Sequence, residues 1–132
     1  MKKDSSKRKI VFGKHLTIDA YECDFEKLAS MEAIFDILNK LPEKIKMKKL
    51  APPFVIKCPK NNKKDCGGIS GFVIIAQSHI SIHTFPKKKF LTMDVYSCGE
   101  LDEKKVVNYI KRFFKCRKLE KHFILRGLNF PK

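Results

Sequence analysis

From Ile69 to Tyr96 the chain reads as extended strand with little interruption, and this stretch limits the folds open to it. Ile69 to Ala76 is the strongest strand, Ser78 to His83 continues extended, Pro86 to Lys89 turns, and Phe90 to Tyr96 comes back as an antiparallel partner. A sheet built around such a centre needs a second layer to bury one of its faces.

The flanking segments provide that layer. Asp24 is suited to cap a helix that starts at Phe25. Leu28, Met31, Ile34, Phe35, Leu38 and Leu41 then recur at spacings of three and four, and Pro42 falls just past the end. A second helix is expected over Leu101 to Cys116, with Asp102 as its cap and Val106, Val107, Ile110, Phe113 and Phe114 as its apolar face. Further strands are read over Lys9 to Tyr21, kinked at Gly13, over Phe54 to Ile56 after Pro52-Pro53, and over Leu119 to Leu125. Cys58 to Gly68 is a polar loop. The order β-α-β-β-β-α-β implies an α+β two-layer sandwich, a mainly antiparallel sheet with helices packed on one face. Residues 1–8 read as a flexible basic tail and 9–132 as one domain, in keeping with a length of 132 residues.

Composition narrows the function classes. No 18-residue apolar run is present, so no membrane helix is expected. The charged start, Met1 to Arg8, is followed by no apolar signal stretch, which points to the cytoplasm. Five cysteines, an odd count with no C-x-x-C pair, argue against a disulfide framework or a structural zinc site. The net charge of +15 invites a nucleic-acid reading. Against it, only four of the 29 basic residues are arginine, and the lysine clusters are spread along the whole chain. A solvated lysine-rich surface accounts for the charge more simply.

The segment Gln77 to Pro86 carries a load that core strands rarely bear. Two histidines and three hydroxyls lie between Ser78 and Thr84, and each needs a partner if buried. Met93 to Gly99 adds Tyr96, Ser97 and Cys98 on the next strand. Gly68-Ile69-Ser70-Gly71 is not a nucleophile elbow, because Phe72 stands where the second glycine is required. His79 and His83 lie about 13 Å apart on a strand, too far to share an ion, and no metal site is expected. The odd offset between Ser78 and His83 places them on opposite faces of a straight strand. Residue spacing alone leaves a polar cluster without a purpose.

Taken together, the motifs resemble the prokaryotic S-adenosylmethionine decarboxylase proenzymes. The resemblance rests on Gly13-Lys14-His15-Leu16, Asp19 with Tyr21-Glu22-Cys23-Asp24, Gly68-Ile69-Ser70-Gly71, Ser78-His79-Ile80-Ser81-Ile82-His83-Thr84, Asp94-Val95-Tyr96-Ser97-Cys98 and Arg126-Gly127. It implies a self-processing enzyme. Ser78 would attack the carbonyl of Gln77, and elimination would separate chains 1–77 and 78–132. Ser78 would become a pyruvoyl group, able to take a substrate amine as a Schiff base and accept the electrons released with carbon dioxide. By the same resemblance His83 assists the elimination, Ser70 supports processing, Cys98 donates the proton to carbon and Phe85 stacks on adenine.

The implied substrate is S-adenosylmethionine, whose decarboxylated product donates aminopropyl groups for spermidine synthesis. The implied assembly is a homodimer of cleaved protomers with sites near the interface. Departures are visible. Gln77 replaces a common Glu, Phe85 a common Trp and Lys87 a common Glu, and the loop Asn62-Lys63-Lys64-Asp65-Cys66 lacks an aromatic residue that several relatives have there. These leave a pyruvoyl-dependent arginine or ornithine decarboxylase open as an alternative substrate class. A nucleic-acid-binding module and a silent regulatory paralogue are more remote alternatives. The intact Ser78, His83 and Cys98 set argues against silence.

Overall fold

A computed structural model of the chain describes residues 10–131. The predicted basic tail, 1–8, lies outside the described residues. Six strands form one antiparallel sheet: β1 (Gly13–Tyr21), β2 (Phe54–Cys58), β3 (Gly68–Ile75), β4 (Ser78–Phe85), β5 (Phe90–Ser97) and β6 (Lys118–Arg126). Their order across the sheet is β2-β3-β4-β5-β1-β6. Among the described residues three α-helices accompany them: α1 (Phe25–Leu28), α2 (Met31–Lys44) and α3 (Glu103–Phe114). The α+β two-layer reading is therefore observed.

Alternation along the strands builds the core. Leu16, Ile18 and Ala20 of β1, Ile69, Val73 and Ile75 of β3, Ile80 and Ile82 of β4, and Leu91, Met93 and Val95 of β5 are all buried on one face. Ile34, Ile37, Leu38 and Leu41 of α2 and Val106, Val107, Ile110 and Phe114 of α3 complete the same cluster. Among the described residues the opposite face carries no helix. Phe54, Ile56, Phe72 and Ile74 stand exposed there, and Phe54 and Phe72 pair across strands at 5.6 Å.

Three local differences from the sequence reading have physical causes. The helix expected from Phe25 to Leu41 is broken after Leu28, because Ser30 caps a new helix by accepting from the Ala33 amide at 3.0 Å. Pro42 lies inside the last turn of α2 and is buried, and Met31 and Phe35 turn partly to solvent while Ile37 takes a place in the core. The extended run from Ile69 through His83 is a hairpin of two separate strands. Ile75 pairs with Ser78, and Ala76-Gln77 makes the turn. Gln77 adopts φ 58°, a left-handed conformation that usually signals glycine or asparagine and here has neither.

Candidate active site

The hairpin turn is tightly braced. The Ala76 amide donates to the Lys48 carbonyl at 3.0 Å and the Leu50 amide to the Ile74 carbonyl at 3.0 Å, so the segment after α2 clamps the end of β3. Ser78 opens β4 directly after the turn and is almost fully buried, its side chain on the helix-covered face with Ile80 and Ile82. Its Oγ accepts from the Cys98 amide at 2.9 Å. The Cys98 thiol donates toward the Ala76 carbonyl at 3.6 Å. Buried Ser97 fixes the Cys98 corner, accepting from the Gly99 amide at 3.0 Å and donating to Met47 Sδ at 3.3 Å. Ser78, Cys98 and the backbone on both sides of Gln77 are thus gathered at one strained turn, where a left-handed residue other than glycine costs on the order of 1 kcal/mol.

Ser70 and His83 meet elsewhere. They are direct partners in the β3–β4 register, and His83 Nδ1 lies 2.6 Å from Ser70 Oγ. Cys58 donates its thiol to the same Oγ at 3.2 Å. Ser70 Oγ and His83 Nδ1 share one hydrogen, donated by the hydroxyl or by the ring according to the imidazole tautomer. Cys58 is a neighbour that sequence reasoning missed, and only the β2–β3 pairing reveals it. The two glycines around Ser70 are dictated by packing. A Cβ on Gly68 would sit 1.8 Å from the Thr84 carbonyl oxygen, and one on Gly71 would meet Leu38 Cδ1 at 2.8 Å.

His83 projects from the open face and Ser78 from the covered one, as their odd offset requires. Five residues of strand also separate them by about 17 Å. A single protomer therefore does not bring Ser78 and His83 together. His79 and His83 share the open face at opposite ends of β4, and among the described residues no group of three or more His, Cys, Asp or Glu is arranged to hold a metal.

Phe85 forms one wall of an aromatic slot. Its ring stacks near that of Phe90 with centroids 5.7 Å apart, and Phe90 packs on Tyr21 at 5.2 Å. These rings and the loop residues Asn61, Asn62, Lys64 and Asp65 line a cleft of about 650 Å³. Tyr21 donates to Glu120 at 2.6 Å, and that hydrogen bond is the main reason its phenol is pushed up to about 12. Tyr21 and Phe90 had no assigned role in the sequence. They become slot walls because β1 and β4 both flank β5.

The middle of the open face holds a polar cluster. His15 Nε2 lies 3.0 Å from Asp94 Oδ1, and Ser81 donates to Asp94 Oδ2 at 3.4 Å. His79 meets His15 edge-on and packs at a tilt on Tyr96, and the Arg126 guanidinium lies 4.6 Å from the Tyr96 ring centre. Burial and then the neighbouring His15 hold His79 below the ordinary histidine range.

Comparison with known proteins identifies the family. The sequence model of the family described as S-adenosylmethionine decarboxylase matches residues 14–127. The chain belongs to the S-adenosylmethionine decarboxylase family. It is 36% identical over 116 residues to the S-adenosylmethionine decarboxylase proenzyme of a Clostridium botulinum strain, covering 87% of this chain and 94% of that protein. It is also 36% identical over 118 residues to the proenzyme of the same name from Pyrococcus furiosus, covering 89% and 80%. The crystal structure of the adenosylmethionine decarboxylase from Aquifex aeolicus superposes with a TM-score of 0.74 at 27% identity, over 89% of this chain and 92% of that one. Apart from Gly13, the motifs that carried the resemblance lie within the residues the decarboxylase family model matches.

Proposed function

We propose that this protein is a self-processing decarboxylase of S-adenosylmethionine, cleaving itself between Gln77 and Ser78 into chains 1–77 and 78–132. The observation that carries the reading is the braced turn, in which Ser78 Oγ is fixed by the Cys98 amide beside a left-handed Gln77. Attack of that oxygen on the Gln77 carbonyl replaces the amide by an ester and relaxes the turn. Loss of the Ser78 α-proton then expels the Gln77 carboxylate and opens the chain, leaving a dehydroalanine whose imine tautomer is hydrolysed by water to the ketone with release of ammonia. The Gln77 side chain takes no part, so its replacement of Glu is compatible with processing.

A pyruvoyl group left at residue 78 would supply the ketone that takes the substrate amine and accepts the electrons released with carbon dioxide. The residues around Ser78 fit such a group: the position is small, almost fully buried and flanked by the Cys98 thiol. Cys98 is the proton donor in this reading, and the turn holds its thiol beside the backbone that cleavage would open. In this reading the slot of Tyr21, Phe85 and Phe90 stacks on the adenine ring of a substrate bound at a second copy, because it lies seven residues along β4 from its own Ser78, about 24 Å. That slot favours S-adenosylmethionine over arginine or ornithine, which have no aromatic ring to place there. The product would serve as the aminopropyl donor for spermidine synthesis. The five free cysteines suit a reducing cytoplasm.

The wide separation of Ser78 from His83 favours a homodimer. The open sheet face carries exposed Phe54, Ile56, Phe72 and Ile74 together with the Ser70–His83 pair. A second copy docked sheet against sheet would cover those side chains, and His83 of the partner subunit would reach Ser78 only if the Ala76-Gln77 turn swings Ser78 out from the helix-covered face. The other route is the same movement of the turn within one chain, before cleavage, toward its own His83. Mixing a Ser78→Ala chain with a His83→Ala chain separates the two: only the shared site restores processing of the His83→Ala chain. The substrate is tested by release of labelled carbon dioxide from S-adenosylmethionine, arginine and ornithine side by side. Release from S-adenosylmethionine alone is expected. Release only from arginine or ornithine would replace the substrate and keep the chemistry.

A further inference from the structure

Two cysteines outside the candidate site face each other. Cys23 follows β1 and Cys116 follows α3, and their sulfur atoms lie 3.1 Å apart with no bond between them. Backbone hydrogen bonds pin the crossing on both sides. The Asp24 amide donates to the Phe114 carbonyl at 2.7 Å, and the Arg117 amide to the Tyr21 carbonyl at 3.2 Å. Lys115, at φ 54°, turns the chain out of α3 between those anchors. Cys23 is buried in the core, while Cys116 is partly exposed. Closing a disulfide at the usual length of about 2.05 Å asks for about 1 Å of movement.

We propose that Cys23 and Cys116 form an oxidant-dependent disulfide, and that in the processed protein this bond joins chains 1–77 and 78–132 covalently. The first half stands on the thiol geometry alone. The second half rests on the cleavage reading, since Cys23 lies before residue 77 and Cys116 after it. The cut leaves β1, β2 and β3 on one piece and β4, β5, α3 and β6 on the other. The sheet order interleaves them, with β1 seated between β5 and β6. Without a covalent link the halves are held by packing and hydrogen bonds only. A Cys23–Cys116 bond makes their union independent of dilution.

The chemistry needs a disulfide oxidant such as oxidised glutathione. The Cys116 thiolate attacks one glutathione sulfur and expels the other as thiolate. Cys23 then loses its proton and attacks the Cys116 sulfur, expelling the second glutathione thiolate. Two cysteine sulfurs are oxidised, the glutathione disulfide is reduced to two thiols, and the two protons released are taken up by them. The order of attack follows the surroundings. The hydrogen bond from Cys23 draws the Cys116 thiol below the ordinary cysteine range, while the same bond and burial push Cys23 up.

The test treats the purified protein with excess oxidised glutathione, denatures it in N-ethylmaleimide and compares it with and without dithiothreitol. The expected result is one full-length species that separates into two on reduction, with three maleimide adducts in place of five and a linked peptide pairing Cys23 with Cys116. Cys116→Ser and Cys23→Ala should each release two pieces without reductant. The uncleaved Ser78→Ala chain tests the bond by itself: three adducts and the same linked peptide are expected whether or not the native chain processes. Five adducts after oxidation, or a link through Cys58, Cys66 or Cys98 instead, would overturn the proposal.

Discussion

His83 Nδ1 sits 2.6 Å from Ser70 Oγ on the open side of the sheet, directly across the β3–β4 register and one face away from Ser78. The pair is a ready acid–base unit held at a distance from the bond it is expected to help break. That separation organises the expectations for the site.

Ser70→Ala and His83→Ala should each slow processing by about 100-fold or more, the range a positioned proton-transfer group contributes. The two should be far from additive, because either change dissolves the same hydrogen bond. A time course of chain cleavage for the two single variants and the double variant measures both effects.

Cys98→Ala should leave cleavage intact and lower decarboxylation by about 100-fold or more, since the thiol acts on the substrate carbon and the Cys98 backbone amide still holds Ser78. Fragment formation and turnover on one preparation distinguish the two steps.

Thr84→Val should destabilise the fold without touching the chemistry. Thr84 Oγ1 accepts from the Ile69 amide at 3.1 Å and donates to the Leu28 carbonyl at 2.8 Å, both buried. Leaving either group unpaired costs about 1–3 kcal/mol, which a urea midpoint resolves.

His79 predicts a pH dependence with a fixed sign. Burial and His15 lower its folded value below that of the unfolded chain, so the neutral ring is favoured on folding. The associated stability is present above the ordinary histidine value of about 6.5 and is lost as pH falls from there through the folded value. Asp94 opposes the shift and Arg126 adds to it. Unfolding temperatures between pH 8 and pH 5 should fall less steeply for His79→Gln than for the native protein.

The fold class was legible because alternation and helical spacing agree along most of the chain. Asp102 caps α3 where its position before the apolar face implied, accepting from the Lys105 amide at 3.1 Å. The hairpin was hidden because Ala76-Gln77 contains none of the residues that usually mark a left-handed turn. Ser30 went unread because a lone serine inside an apolar stripe carries no sign that its side chain will start a new helix. In the site, the opposite facing of Ser78 and His83 follows from counting along one strand. Cys58 beside Ser70, and Tyr21 and Phe90 beside Phe85, depend on pairing between strands, which spacing along one strand does not encode.

The most direct test of the account is the intact mass of the purified protein under denaturing, reducing conditions, before and after a carbonyl-reactive amine. The prediction is two pieces divided between Gln77 and Ser78, the piece 78–132 blocked at its start and gaining mass with the amine. One unmodified chain that persists through long incubation would contradict it.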